Sequence, residues 1–304
     1  MNVKGTDMDE INLQFDNKKI LKVELGELGT QIAQYVTIAP ESSISNDYPH
    51  VLFIPGMTND LFSIESTIKE IARTGRKITC ITYPDSLTGQ VTAEFTKNVE
   101  NTIDYEPHTN FYLSAINKLH PNNTNLELWG YSTGSSIICE LLTDPTFSSR
   151  VKNAILLHPA STINQRQFDL SMGVLKDAFN YLNSNPKKLL NYLKTALKLL
   201  MNQNKGQLKL KSQIFISLVN KAKVNNIQLH AIRVQPEGTI LIVSSQKDCI
   251  VKTNLKSNEV HYSNNEIFSK NSQFKTITIY KGTHYTIIHD PRPIVSQIIE
   301  LIGN

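Results

Sequence analysis

After a polar opening, two stretches of the chain alternate apolar and polar residues, Lys19–Leu25 and Gln31–Ile38. A period of two marks a strand with one buried face, so the pair predicts an antiparallel start to a sheet. The pattern then changes. Val51–Ile54 is continuously apolar and stops at Pro55-Gly56, which predicts a short strand buried on both faces. Leu61–Thr74 repeats its apolar positions at helical spacing, and "KITCITYP" (Lys77–Pro84) reads as the next strand. Phe111–Leu119 places Leu113, Ile116 and Leu119 on one helical side. A buried strand ending near Tyr131 follows, then a helix carrying Ile137, Ile138, Leu141 and Leu142, then the strand "VKNAILLHPAS" (Val151–Ser161). Strands alternating with helices imply crossover units and a parallel sheet covered on both faces.

From about Thr162 to Val234 the alternation stops and the text is helical: "LKDAFNYL", "KKLLNYLKTALKLLM", "SQIFISLVNKAK". Strand rhythm resumes with "GTILIVSS" (Gly238–Ser245) and "FKTITIYKG" (Phe274–Gly282), and "PIVSQIIELI" closes the chain as a helix. A helical block set between two strands of one sheet reads as a cap. The expected organisation is therefore an α/β core over 1–161 and 235–304, interrupted by a helical cap over 162–234.

Composition narrows this only a little. The 304 residues are 40% hydrophobic, enough for one large core plus an insertion. A net charge of +4 is too weak a bias to argue for nucleic acid. Cys80, Cys139 and Cys249 make no disulfide framework and show no metal-ligand spacing; the first two lie in apolar patterns and are expected to be buried. The opening "MNVKGTDMDEINLQF" has no apolar secretory core, and no apolar run has bilayer length, so a cytoplasmic setting is expected.

The chemistry concentrates at "GYSTG", Gly130-Tyr131-Ser132-Thr133-Gly134, between a strand and a helix. Glycine-x-serine-x-glycine in that context places the serine on a strained turn, where the glycines let strand and helix pass closely. A serine hydroxyl is a poor nucleophile near neutrality, so it needs a base within reach and a group that orients the base. Asp248 stands just past the strand Ile240–Val243, and His284 two residues past Gly282. Histidines 50, 108, 120, 158, 230, 261 and 289 are assigned structural or surface places. Asp60 and Asp85 are the other candidates for the acid.

On "GYSTG", "SSQKD", "GTHY" and "FIPGMTND", the chain resembles the α/β-hydrolase superfamily from about residue 20 to 302. The resemblance implies an α/β-hydrolase fold, with a mostly parallel central sheet flanked by helices and an inserted helical cap. It further implies Ser132 as nucleophile, His284 as general base and acid, and Asp248 as the orienting carboxylate. The backbone N–H groups of Thr133 and Met57 would form the oxyanion hole, although Pro55-Gly56 stands where many members carry His-Gly. A serine at this place excludes the members that use an aspartate nucleophile. The expected activity is that of a serine carboxylester hydrolase, esterase- or lysophospholipase-like, acting on apolar acyl groups without a cofactor or metal. A thioesterase or acyltransferase with the same triad is the alternative, as is a non-catalytic ligand-binding protein on the same fold.

The cap adds one clue about partners. Leu189, Leu190, Leu193, Leu197 and Leu200 are expected on one helical face, with Lys187, Asn191, Lys194 and Lys198 on the other. No Asp or Glu lies between Phe179 and Pro236, while Lys188, Lys205, Lys209, Lys211, Lys221, Lys223 and Arg233 add to the basic count. Such a cap would meet a small-molecule acyl ester with its apolar side. Its lysines would face an anionic membrane surface or an acyl carrier.

Overall fold

The computed structural model describes residues 18–40, 48–57, 59–160, 194, 197–198, 201, 203–222, 232–245, 248, 273–279 and 283–303. The two alternating segments form β1 (Lys19–Glu24) and β2 (Thr30–Ile38), paired antiparallel from Lys19↔Tyr35 to Glu24↔Thr30. The continuously apolar runs form β3 (His50–Ile54) and β4 (Ile78–Ile81), separated by helix α1 (Glu65–Arg73). Next come α2 (Ala93–Asn101), α3 (Glu106–Leu119), β5 (Leu126–Tyr131), α4 (Thr133–Leu141), the short α5 (Pro145–Ser148) and β6 (Val151–Leu157). Helix α6 (Lys205–Ala222) precedes β7 (Ile240–Ser245) and β8 (Phe274–Ile279), and α7 (Thr286–His289) and α8 (Pro291–Ile302) complete the chain.

The strands form one sheet in the order β1-β2-β4-β3-β5-β6-β7-β8. β2 meets β4 antiparallel, and every pair from β4 to β8 is parallel. Each face of the sheet buries its own set of alternate side chains, as a period of two requires. Leu52, Ile54, Leu128, Leu156 and Ile242 pack with Phe95, Phe111, Tyr112 and Ile137 of α2, α3 and α4. Val51, Phe53, Trp129, Ile155 and Leu241 pack on the other side with Ile68, Ile71, Ile294 and Ile298 of α1 and α8. Cys80 and Cys139 are buried thiols within these layers.

Several elements differ from the sequence expectation. α1 starts at Glu65, because Leu61–Ser63 forms a turn before the helix. α3 starts at Glu106, where Pro107 fits a first turn whose N–H groups lack helical acceptors. α2 carries only two large apolar residues on its buried side, Phe95 and Val99, too few to show as a periodic pattern. The Thr92 hydroxyl caps it, accepting from Phe95 N–H at 3.1 Å.

Most of the cap expected over 162–234 lies outside the described residues, including Lys187, Leu189, Leu190, Asn191, Leu193 and Leu200. Within it, α6 packs against α2. Lys211 donates to Ser86 O (2.7 Å), Gly89 O (2.7 Å) and Gln203 Oε1 (2.8 Å), and Lys221 to Val99 O (2.8 Å) and Thr102 Oγ1 (3.0 Å). Both are buried and fasten α6 to the core, and burial lowers each ammonium to a pKa of about 8. They therefore belong to neither a solvated face nor a partner-binding one. Leu197, expected on the apolar face, is 58% exposed and lies with exposed Lys194, Lys198 and Met201, positions that share one side of a helical turn.

Candidate active site

In an open parallel sheet, the crevice for a ligand lies beyond the carboxyl ends of the strands, where the strand order reverses. Here that point lies between β3 and β5, since the chain steps from β3 outward to β4 and returns to place β5 on the other side. The residues just past these ends are Met57 after β3 and Ser132 after β5.

Ser132 stands at φ 54° and ψ −120°, and among the described residues only His158 is another non-glycine with positive φ. A side chain in this region costs of order 1–3 kcal/mol, and it persists because the surroundings fix it. Those surroundings are specific. Ser132 N–H donates to Leu157 O at 2.8 Å, tying the elbow to β6. A Cβ at Gly130 would stand 2.7 Å from Ser135 N and from Ile138 Cδ1, and one at Gly134 would collide with the carbonyl oxygens of Ile54 and Pro55. The two glycines are thus demanded by close passage of helix α4 over β3 and β5. A Cβ at Gly56 would lie 3.2 Å from Ser132 Cβ, so the loop after β3 borders the serine directly.

Asp248 and His284 come together although they are 36 residues apart in sequence: His284 Nδ1 and Asp248 Oδ2 are 2.8 Å apart, and both residues are buried. His284 is held against the elbow by Tyr131, the residue before Ser132. The Tyr131 hydroxyl donates to His284 O at 3.2 Å, and the two rings lie 5.2 Å apart. The other acids are engaged elsewhere. Asp85 Oδ1 lies 2.9 Å from His108 Nε2, and Asp60 Oδ1 accepts from Thr88 Oγ1 at 2.6 Å. His289 ends α7, and Asp290 and Pro291 lead into α8.

The two backbone donors differ. Thr133 N–H, the first of helix α4, has no acceptor among the described residues, while Met57 N–H donates to Thr133 Oγ1 at 2.7 Å. Tyr83 O–H donates to the same oxygen at 3.0 Å.

His158, expected in a structural or surface place, stands beside His284. It follows β6 at φ 48°, its ring lies 5.3 Å from that of His284, and its Nε2 is 2.7 Å from Ser245 Oγ. Burial pushes its pKa down to about 4, so it is neutral at pH 7 and adds no charge beside His284. The available signal was its position just past the end of a buried strand, on the same sheet edge as Ser132. His158, Asp248 and His284 place donor atoms within 4.8 Å of one another, a grouping of cation-ligand type. The His284–Asp248 hydrogen bond already draws on two of those side chains.

No protein-family model matches the chain, and no curated protein matches it in sequence. Solved structures do. A probable hydrolytic enzyme from Pseudomonas aeruginosa PAO1 superposes with a TM-score of 0.66 at 11% identity, over 94% of each chain. An esterase from Exiguobacterium antarcticum gives 0.63 at 12%, over 93% of this chain and 99% of that one. An enol-lactonase from Burkholderia xenovorans LB400 gives 0.60 at 12%, over 90% and 97%. The chain has the α/β-hydrolase fold.

Proposed function

We propose that the protein is a serine hydrolase that cleaves carboxylic esters with an apolar acyl group through an acyl-enzyme on Ser132. The observation that carries this reading is the buried 2.8 Å pair of His284 and Asp248, held by Tyr131 beside a serine at positive φ. In this reading Ser132 Oγ attacks the ester carbon and passes its proton to His284 Nε2. Asp248 fixes the ring with Nδ1–H toward itself and stabilises the imidazolium that forms. The carbonyl electrons move to oxygen, where Thr133 N–H at the start of α4 supports the negative charge. Collapse expels the alcohol with the proton from His284, and water repeats the sequence on the acyl-enzyme. The strained serine, the two glycines and the site's place at the sheet's switch point all support this assignment.

The apolar acyl preference rests on the leucine-rich cap, read as an insertion over 162–234. The exposed group of Lys194, Leu197, Lys198 and Met201 favours an anionic partner for that cap, a phospholipid surface or an acyl carrier. The carrier version makes a thioesterase or acyltransferase the second reading.

Hydrolysis rates across p-nitrophenyl esters from acetyl to palmitoyl, beside an acyl-CoA panel, test the choice. The ester reading expects turnover that rises beyond acetyl and vanishes in Ser132→Ala. Preference for acyl-CoA would favour the thioesterase reading, and turnover independent of Ser132 would remove both.

A further inference from the structure

Thr133 contributes more than a backbone N–H. Its hydroxyl oxygen accepts from Met57 N–H at 2.7 Å and from Tyr83 O–H at 3.0 Å. A hydroxyl has two acceptor lone pairs and one proton, so two donors leave it only the role of donor. Thr133 and Tyr83 are both fully buried, and no acceptor receives the Thr133 proton among the described residues. Buried donors are rarely left without an acceptor, and one that is left so beside a reactive serine is suited to a ligand atom.

The Thr133 hydroxyl lies between the serine turn and the loop after β3. Met57 lies in the loop after β3 that borders Ser132, and Thr133 is the next residue after the serine. Burial pushes the Tyr83 phenol well above its ordinary pKa, so it stays protonated and able to donate. Met57 N–H is a donor at any pH. The Thr133 oxygen thus receives both donors, and in that arrangement its own proton points toward neither of them.

We propose that the Thr133 hydroxyl is itself an oxyanion donor, and that Met57 N–H serves the anion through it instead of directly. Thr133 then supplies two donors, its N–H and its hydroxyl, to the oxygen that gains charge when Ser132 attacks. Each hydrogen bond received by the hydroxyl oxygen strengthens the one it gives. No bond to Thr133 forms or breaks; the proton stays on its oxygen throughout. This inference rests on the hydrolase reading above.

Steady-state kinetics on one ester test it, with a thermal melt for each variant. Thr133→Val keeps the shape, removes the proton and should lower kcat by about 10²- to 10³-fold with little change in KM, as removal of one such donor does. Thr133→Ser should recover most of that loss, and Tyr83→Phe should lower kcat by a smaller factor. Thr133→Val at or above the parental rate would overturn the inference, because the freed Met57 N–H would then suffice alone. If the valine variant does not fold, an unchanged kcat in Tyr83→Phe overturns it equally. Ser132→Ala in the same panel separates the two readings. An active Ser132→Ala sinks the hydrolase reading and the inference with it. A dead Ser132→Ala beside a fully active Thr133→Val sinks the inference alone.

Discussion

Strand β5 carries polar chemistry at both ends and treats it in opposite ways. Near its start, Glu127 is fully buried and engaged by three side chains. It accepts from Trp129 Nε1 at 2.7 Å and Asn153 Nδ2 at 3.2 Å, and lies 3.3 Å from Arg76 Nε. Arg76 also donates to Gly303 O at 3.2 Å, tying the chain's last residues to the sheet. Past its other end, Ser132 is held at positive φ, and among the described residues Thr133 N–H and His158 Nδ1 lack partners. Removing one member of a buried ion pair leaves the other as an uncompensated buried charge, which costs stability. Open donors and a strained backbone cost stability in the resting protein and become useful when a substrate arrives. One strand therefore separates a buried charge cluster from the end at which the catalytic site is proposed.

That contrast predicts that the two ends fail differently. At the chemical end, His284→Ala should lose about 10⁴-fold or more in kcat, and Asp248→Asn up to about 10⁴-fold, with melting temperatures near the parent's. His289→Ala, measured on the same ester, should stay within a few-fold. An inactive His289→Ala beside an active His284→Ala would reverse the assignment of the base. At the structural end, Glu127→Ala should cost about 3–5 kcal/mol of unfolding free energy, since it leaves Arg76 buried without its counter-charge. Denaturant titration reads that loss, and the fraction that remains folded should keep the parental turnover. A Glu127 variant of full stability but no activity would merge the two ends into one functional unit.

The smallest expected effect has the opposite sign. Ser132→Gly should abolish turnover yet raise stability by about 1 kcal/mol, because glycine accepts φ 54° without strain. The same titration checks it, and a loss of stability would mean that the serine side chain is itself part of the packing.

How far the sequence carried these features follows from how local each one is. The strands and the elbow were legible because their signals are local: continuous apolar runs, a period of two, and a serine between glycines. Asp248 and His284 could be proposed as partners because each stands a few residues past a strand end, and the fold brings them within 2.8 Å. α2 was not legible, since Phe95 and Val99 alone do not make a periodic face. Nor were the buried lysines Lys211 and Lys221, whose composition reads as solvated charge and whose main-chain acceptors lie more than 100 residues away. The same holds for the Thr133 hydroxyl, whose donors lie 76 and 50 residues earlier in the chain. Only the folded sheet brings them together.

Covalent labelling by a fluorophosphonate, followed by mass mapping of the modified peptide, tests the central claim most directly. The account predicts one adduct per chain, on the peptide containing Ser132, absent from Ser132→Ala and strongly slowed in His284→Ala. An adduct on any other residue, or undiminished labelling of the Ser132→Ala variant, would contradict it.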